Sequence, residues 1–413
     1  MTVLIFVSGM LAAGAGIGGG GLYVPIFLMF GWGKLAVVRS LAATTGLALA
    51  LLCLVVFQRH PEADRPAVDY RAMLVLEPIV LLGTVPGKIL NDLFPPVIVY
   101  VFLLVLLLVI TYRSWLKYFK FKARDDARLA NESLEVELAE VGESTSNDHV
   151  KYNEDDGAVV DAAMRGYSPK TAKRKAIKRQ LTVHKESKNP VRGILLLVLC
   201  WIVLLSLALS IKLETECNST IFWILHALYV PVLWSFSIGY GWIMRKKHKR
   251  KLSMDFEWVS GDIQWTNSRI VMYPLAFFFA GLMSSLLGIG GGMVIAPLLL
   301  EIGMHPSVAN ATTGVMTLFT ASSAALLYLI QDIETFDYFI WYMVVAFIAG
   351  LIGRFIINDY IKKTGKQALA IFFLAMLISG ACVLTVYIAI DRIISDVQND
   401  VPIEFAEMCS SEK

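Results

Sequence analysis

The chain has 413 residues, 56% of them hydrophobic and 17% charged, whereas a soluble domain is about half apolar and about a quarter charged. That balance excludes an ordinary soluble globule and is the composition of a polytopic membrane protein. A net charge of +3 says little by itself; where the basic residues fall says more, and no nucleic-acid motif is present. Cys53, Cys200, Cys217, Cys382 and Cys409 make no C-x-x-C pair and have no histidine at ligand spacing, so no disulfide framework, metal site, cofactor or nucleophile is read.

In chain order, Met1 to Ala15 and Leu22 to Phe30 are two short apolar halves around a glycine run. No basic n-region or A-x-A site marks a signal peptide, and the short first helix leaves room for an upstream extension. Leu35 to Phe57, Tyr70 to Leu90 and Phe94 to Trp115 are each long enough to span a bilayer. Residues 1–118 form the first repeat. Residues 119–190 are a charged linker, acidic then basic, with too few apolar residues for a core; they are expected to be largely disordered and cytoplasmic. The basic part is open to two uses, a solvated linker or an amphipathic segment on an anionic leaflet.

Residues 191–244 add two linker spans around the sequon Asn218-Ser219-Thr220, and the basic loop 245–269 is a cytoplasmic marker. The second repeat, 270–390, again reads as two halves and three spans, followed by a polar tail, 391–413. Val271 to Glu301 as one helix would be about 45 Å long against a core of about 30 Å, so a hairpin is expected at its glycine run. Each unit then has an odd number of passes and the repeats are inverted. That choice puts Lys362, Lys363 and Lys366 inside, Asp332 and Glu334 outside, and both termini outside; Lys34 and Arg39 count mildly against it.

The two units share one motif. Gly16-Ile17-Gly18-Gly19-Gly20 with Pro25 recurs as Gly288-Ile289-Gly290-Gly291-Gly292 with Pro297, at an offset of 288 − 16 = 272 for the first glycines and 297 − 25 = 272 for the prolines. A broken backbone survives in hydrocarbon only where protein or a wet cavity covers it. Glycines entering a helix also present amides and a dipole end that attract anions. Gly18, Gly19, Gly20, Gly290, Gly291 and Gly292 are thus candidate donors, although glycine serves close helix packing equally well. Beyond the motif, Arg39-Ser40-Leu41 aligns at the same offset with Ala311-Thr312-Thr313, preceded by Asn310. Ser40, Asn310, Thr312 and Thr313 are candidate polar lining, or ordinary interhelical hydrogen-bonders. A buried Arg39 would be costly and functional, unless it snorkels. Gly83-x-x-x-Gly87-Lys88 corresponds to Ala349-x-x-x-Gly353-Arg354, so Lys88 and Arg354 are candidate charge partners on the same two conditions. His305 is read as structural.

The duplicated Gly-Ile-Gly-Gly-Gly with its proline, and Ala309-Asn310-Ala311-Thr312-Thr313 after the second copy, resemble the TauE/SafE sulfite exporter family, in its eukaryotic branch. The resemblance covers residues 1–118 and 270–390. It implies secondary transport of small sulfur-containing anions such as sulfite, sulfoacetate or related organosulfonates.

The resulting expectation is an all-α polytopic membrane protein of two homologous, inverted helical repeats, each with a glycine-broken helix pair, joined by a long charged loop and two extra transmembrane helices. It acts as a secondary transporter, with a small anionic solute between the breaks, the lipid bilayer around it and protons as a possible coupling ion. No paired Asp, Ser-Lys or His-metal constellation inside a span points to an enzyme. The alternative is a membrane receptor or scaffold acting through the cytoplasmic loop.

Overall fold

The computed structural model describes residues 1–16, 18–32, 35–56, 58–60, 65–142, 191–214, 220–253, 261–329, 336–364 and 368–398. Among them are twelve α-helices: α1 (Thr2–Ala15), α2 (Gly20–Met29), α3 (Leu35–Val55), α4 (Tyr70–Leu93), α5 (Pro96–Gly142), α6 (Val191–Glu214), α7 (Thr220–Leu252), α8 (Arg269–Leu287), α9 (Gly292–Glu301), α10 (Pro306–Leu329), α11 (Phe336–Thr364) and α12 (Ala368–Gln398). Seven are long and apolar enough to cross a membrane, α3, α4, α5, α8, α10, α11 and α12. The protein is a multi-pass, all-helical membrane protein. Its fat-facing side chains agree: Val105, Leu108, Val344 and Val383 are exposed apolar residues on long helices, as lipid contact requires.

Helix ends follow local chemistry. Asp69 caps α4 by accepting from the backbone N–H groups of Arg71 and Ala72, each at 3.1 Å. Gly16 and Gly288 end α1 and α8 in the left-handed conformation, at φ 69° and 67°, where glycine carries no Cβ penalty. Pro25 and Pro297 lie inside α2 and α9 and do not end them. A proline there removes one amide donor, and the neighbouring helices enclose the segment. The helix starting at Pro96 also runs past Trp115 without stopping, to Gly142. The basic stretch 170–179, Asn218 and Ser219 of the sequon, and the acidic loop 330–335 lie outside the described residues.

Side-chain neighbours fix the directions of the helices. α4 and α8 run parallel, because Gly83 faces the Phe278 carbonyl, Gly87 the Leu282 carbonyl, and Asn91 Nδ2 donates to the Leu286 carbonyl at 2.7 Å. α4 and α10 are also parallel, through Asp69 to Thr312 and Thr320 to Glu77. With α8 and α10 pointing the same way, α9 between them runs back, so α8 and α9 form a re-entrant hairpin. The first unit repeats this: α1 and α3 both run parallel to α11, through Gly9 to Ala349, Gly353 to Met10, Gly46 to Met343 and Gly350 to Ala50, and α2 returns between them.

The corresponding helices of the two units oppose each other. Val38, Leu41 and Ala42 of α3 pack with Ala324, Ala325 and Tyr328 of α10, while Leu51 meets Gly314. α5 and α12 likewise run antiparallel, Asp125 accepting from the Ala368 amide at 2.7 Å and Trp115 donating to Ser379 at 3.0 Å. α10 and α12 therefore run opposite to α3 and α5. The basic C-terminal end of α7, with Lys249, Arg250 and Lys251, shares its face with the end of α3 and the starts of α4, α8 and α10.

Candidate functional site

The two glycine runs meet. A Cβ at Gly20 would overlap the Ile289 carbonyl, one at Gly21 would overlap the Met293 sulfur, and one at Gly292 would stand 2.5 Å from the Gly18 nitrogen. Only glycine permits this approach. Ser40 ties the runs together: its Oγ lies 3.3 Å from the Gly20 carbonyl oxygen and 3.2 Å from that of Gly288. α2 and α9 start here from opposite directions, N-capped by Gly19 at φ 72° and Gly291 at φ 82°, neither with a side-chain cap. Their first-turn amides have no partner within the helix.

Hydroxyls surround the junction. Thr44, near the middle of α3, approaches Gly18 and Gly290; Thr317, near the middle of α10, approaches Gly18 and Gly292. Both are fully buried, and neither hydroxyl has a hydrogen-bond partner among the described residues. Thr313 and Ser284 are in the same state. A buried hydroxyl without a partner costs about 1–3 kcal/mol, and three of these, Thr44, Thr317 and Ser284, stand at the glycine runs and call for an explanation. Sequence reading missed Thr44, Thr317, Ser284, Thr320 and Glu77. For Glu77 a signal existed, a carboxyl inside an apolar span.

The other expected residues separate. Thr312 accepts from the Asp69 amide at 3.0 Å at the start of α4, away from the junction. Asn310 packs under Gly16. Arg39 is 2% exposed, with its guanidinium 3.4 Å from the Trp32 ring centre and 4.7 Å from that of Tyr338, so it is buried among rings and does not snorkel. Lys88, near the end of α4, pairs with Asp92 and lies 5.4 Å from the Tyr328 ring centre. Arg354 stands towards the opposite face and donates to Gln58 at 3.2 Å. Lys88 and Arg354 do not share one site. His305 is buried beside His60, ring centres 5.9 Å apart, and its Nδ1 accepts from the Ser307 amide.

The geometry also revises the alignment beyond the motif. Gly16 rests on Asn310 while Gly288 rests on Val37, and Thr317 matches Thr44. Both pairs give an offset of 273, as 310 − 37 = 273 and 317 − 44 = 273. Arg39 therefore corresponds to Thr312, not Ala311, and Ser40 to Thr313. On α4 and α11 the equivalence is as expected: Gly87 sits on the Leu282 carbonyl and Gly353 on that of Met10, the two contacts being related by the same exchange of units.

The family model for "Sulfite exporter TauE/SafE" matches residues 1–149 and 181–384. The chain belongs to the TauE/SafE sulfite exporter family. It is 28% identical over 410 residues to the sulfite exporter TauE/SafE family protein 3 of Arabidopsis thaliana, covering 99% of this chain and 82% of that one. Protein 1 of the same plant is 27% identical over 398 residues, covering 92% and 81%. No solved structure matches. Membership in TauE/SafE makes this a membrane transporter of sulfite-exporter type, and not an enzyme.

Proposed function

We propose that this TauE/SafE protein is a secondary transporter of small sulfur-containing anions, such as sulfite, sulfoacetate or related organosulfonates, held between the two glycine junctions. The observation that carries the reading is the meeting of two uncapped helix N-termini among buried, unpartnered threonine hydroxyls. Each N-terminus contributes about half a positive charge, and the amides and hydroxyls are hydrogen-bond donors suited to an oxyanion. Gly18, Gly19, Gly20, Gly290, Gly291 and Gly292 supply backbone donors; Ser40, Thr44, Thr313 and Thr317 supply lining. Asn310 and Thr312 steady the helices around it. Lys88 and Arg354 act as charge partners at opposite ends of the path, and Arg39 supplies a fixed cation under its rings.

The two units are homologous inverted repeats, and alternation is a rocking of one against the other around the junction. The test is sulfite flux in proteoliposomes. Gly291→Leu abolishes flux while the purified protein keeps its size-exclusion profile; unchanged flux would reject the site.

A further inference from the structure

The place of Glu77 is 1% exposed within α4, and an ionisable group at such a position is rare and costly. Its Oε1 accepts from Thr320 Oγ1 at 3.0 Å, and its Oε2 has no partner among the described residues. Thr320 leads to the second junction: a Cβ at Gly291 would lie 3.1 Å from Thr320 Cγ2 and 3.3 Å from Ser284 Oγ. Thr320 turns its hydroxyl to Glu77 and its methyl group to Gly291, so a carboxyl and the hydroxyls of Thr320 and Ser284 stand between the interior of α4 and Gly291.

That polar set exists on one side only. Exchanging the units by the equivalences above carries Thr320 to Leu47, at 320 − 273 = 47, and Ser284 to Ala12, at 284 − 272 = 12. Glu77 goes to Met343, because Gly87 corresponds to Gly353 and 77 + 266 = 343. All three counterparts are apolar, and Leu47 and Ala12 are fully buried. Packing alone is served by apolar residues at the equivalent places, so the polar set answers to something else.

We propose that Glu77 is the residue that carries a coupling proton, relayed past Thr320 and Ser284 beside Gly291. This rests on the transport reading above. Oε2 takes a proton from water on the face to which the path is open, forming an O–H bond, and releases it to water on the other face after the units have rocked. One monovalent anion crossing with one proton moves no net charge, so the pair escapes the electrical cost of either ion alone. Thr320 donates to Glu77 from α10 and Cys200 of α6 feels its charge, Ser284 and Ser285 are the buried serines of α8, and Ser237 of α7 commits its hydroxyl to the Val75 carbonyl at 2.6 Å. Among the described residues, no lysine, arginine, histidine or second carboxylate acts on Glu77.

The experiment uses the full-length protein in proteoliposomes with two probes, radiolabelled sulfite and radiolabelled sulfoacetate. Counterflow without a pH difference measures transport; accumulation driven by an imposed proton gradient measures coupling. Glu77→Gln is expected to lose gradient-driven accumulation relative to its own counterflow, down to the level of empty liposomes. A folded Glu77→Gln protein with the wild-type ratio overturns the proton role and leaves the transport reading standing. Wild-type protein with no counterflow of either probe overturns the transport reading, and this inference with it. Wild-type protein supplies a second measurement independent of the variant's folding. A lumenal pH indicator should report proton entry with the anion, and dicyclohexylcarbodiimide should modify Glu77 by peptide mass and block gradient-driven uptake. Accumulation without proton entry refutes the assignment.

Discussion

Gly87 and Gly239 are both glycines inside helices, and they answer to opposite constraints. A methyl group at Gly87 overlaps the Leu282 carbonyl, whereas one at Gly239 meets nothing within 4 Å. Gly87→Ala should therefore destabilise by about 1–3 kcal/mol through overpacking. Gly239→Ala should be neutral or gain up to about 1 kcal/mol from helix propensity. Thermal unfolding in detergent separates the two: a lower Tm for the first and an equal or higher one for the second. His60, in the connection after α3, is governed by charge. Burial, then the Arg65 guanidinium and His305, push its pKa down from 6.5 to about 4, with Asp262 opposing. Between those values the unfolded chain binds the proton and the folded one does not, so stability is full above pH 6.5 and declines as pH falls towards 4. His60→Gln should flatten that part of a Tm-against-pH curve; an unaltered slope would assign it to other groups.

At the scale of elements, the hairpins α1–α2 and α8–α9 are held by very few polar contacts. Ser40 brings one hydroxyl within hydrogen-bond distance of both, at the Gly20 and Gly288 carbonyls. Ser40→Ala should cost about 1 kcal/mol, the net worth of a hydrogen bond, and lower sulfite flux more than it lowers the Tm; equal Tm and flux would make the bridge incidental. The hairpins were expected from the sequence because the length of Val271 to Glu301 and most of the loop charge favoured an odd number of passes, with Lys34 and Arg39 counting mildly against. The register after them was not. One extra residue between the second break and α10, compared with the first break and α3, is seen only when Gly16 meets Asn310 and Gly288 meets Val37, and it moves the equivalent of Arg39 to Thr312. Lys88 and Arg354 were legible as a pair, yet the inversion that makes them equivalent also sends them to opposite faces. Glu77 was legible as a lone carboxyl inside an apolar span, but its pairing was not, because its partner Thr320 is 243 residues away in the chain and no local pattern joins them.

For the whole molecule, the directions of the helices set which loops share a face. Single cysteines in a cysteine-free background test this with an impermeant maleimide. Arg59→Cys and Lys249→Cys should label from one side of sealed vesicles, and Phe30→Cys and Asp337→Cys from the other. Labelling of Arg59→Cys and Asp337→Cys from one side would contradict the arrangement, because they bracket the parallel helices α3 and α11 at opposite ends. The apolar composition alone carried the class of protein. The interlock between the units came from contacts between residues more than 260 positions apart.

That interlock has a consequence for how the protein is made. Gly20 lies against the Ile289 carbonyl and Gly18 against Gly292, so the tip of the first hairpin is completed by residues the ribosome adds more than 260 positions later (288 − 20 = 268). Until then α1 and α2 expose a broken backbone in a bilayer that offers no hydrogen bonds. The nascent first unit must wait, either sheltered by the insertion machinery or held short of its final depth, and the second unit inserts around it. Truncated chains ending before α8 should accordingly be cleared quickly by membrane quality control, while the full chain survives.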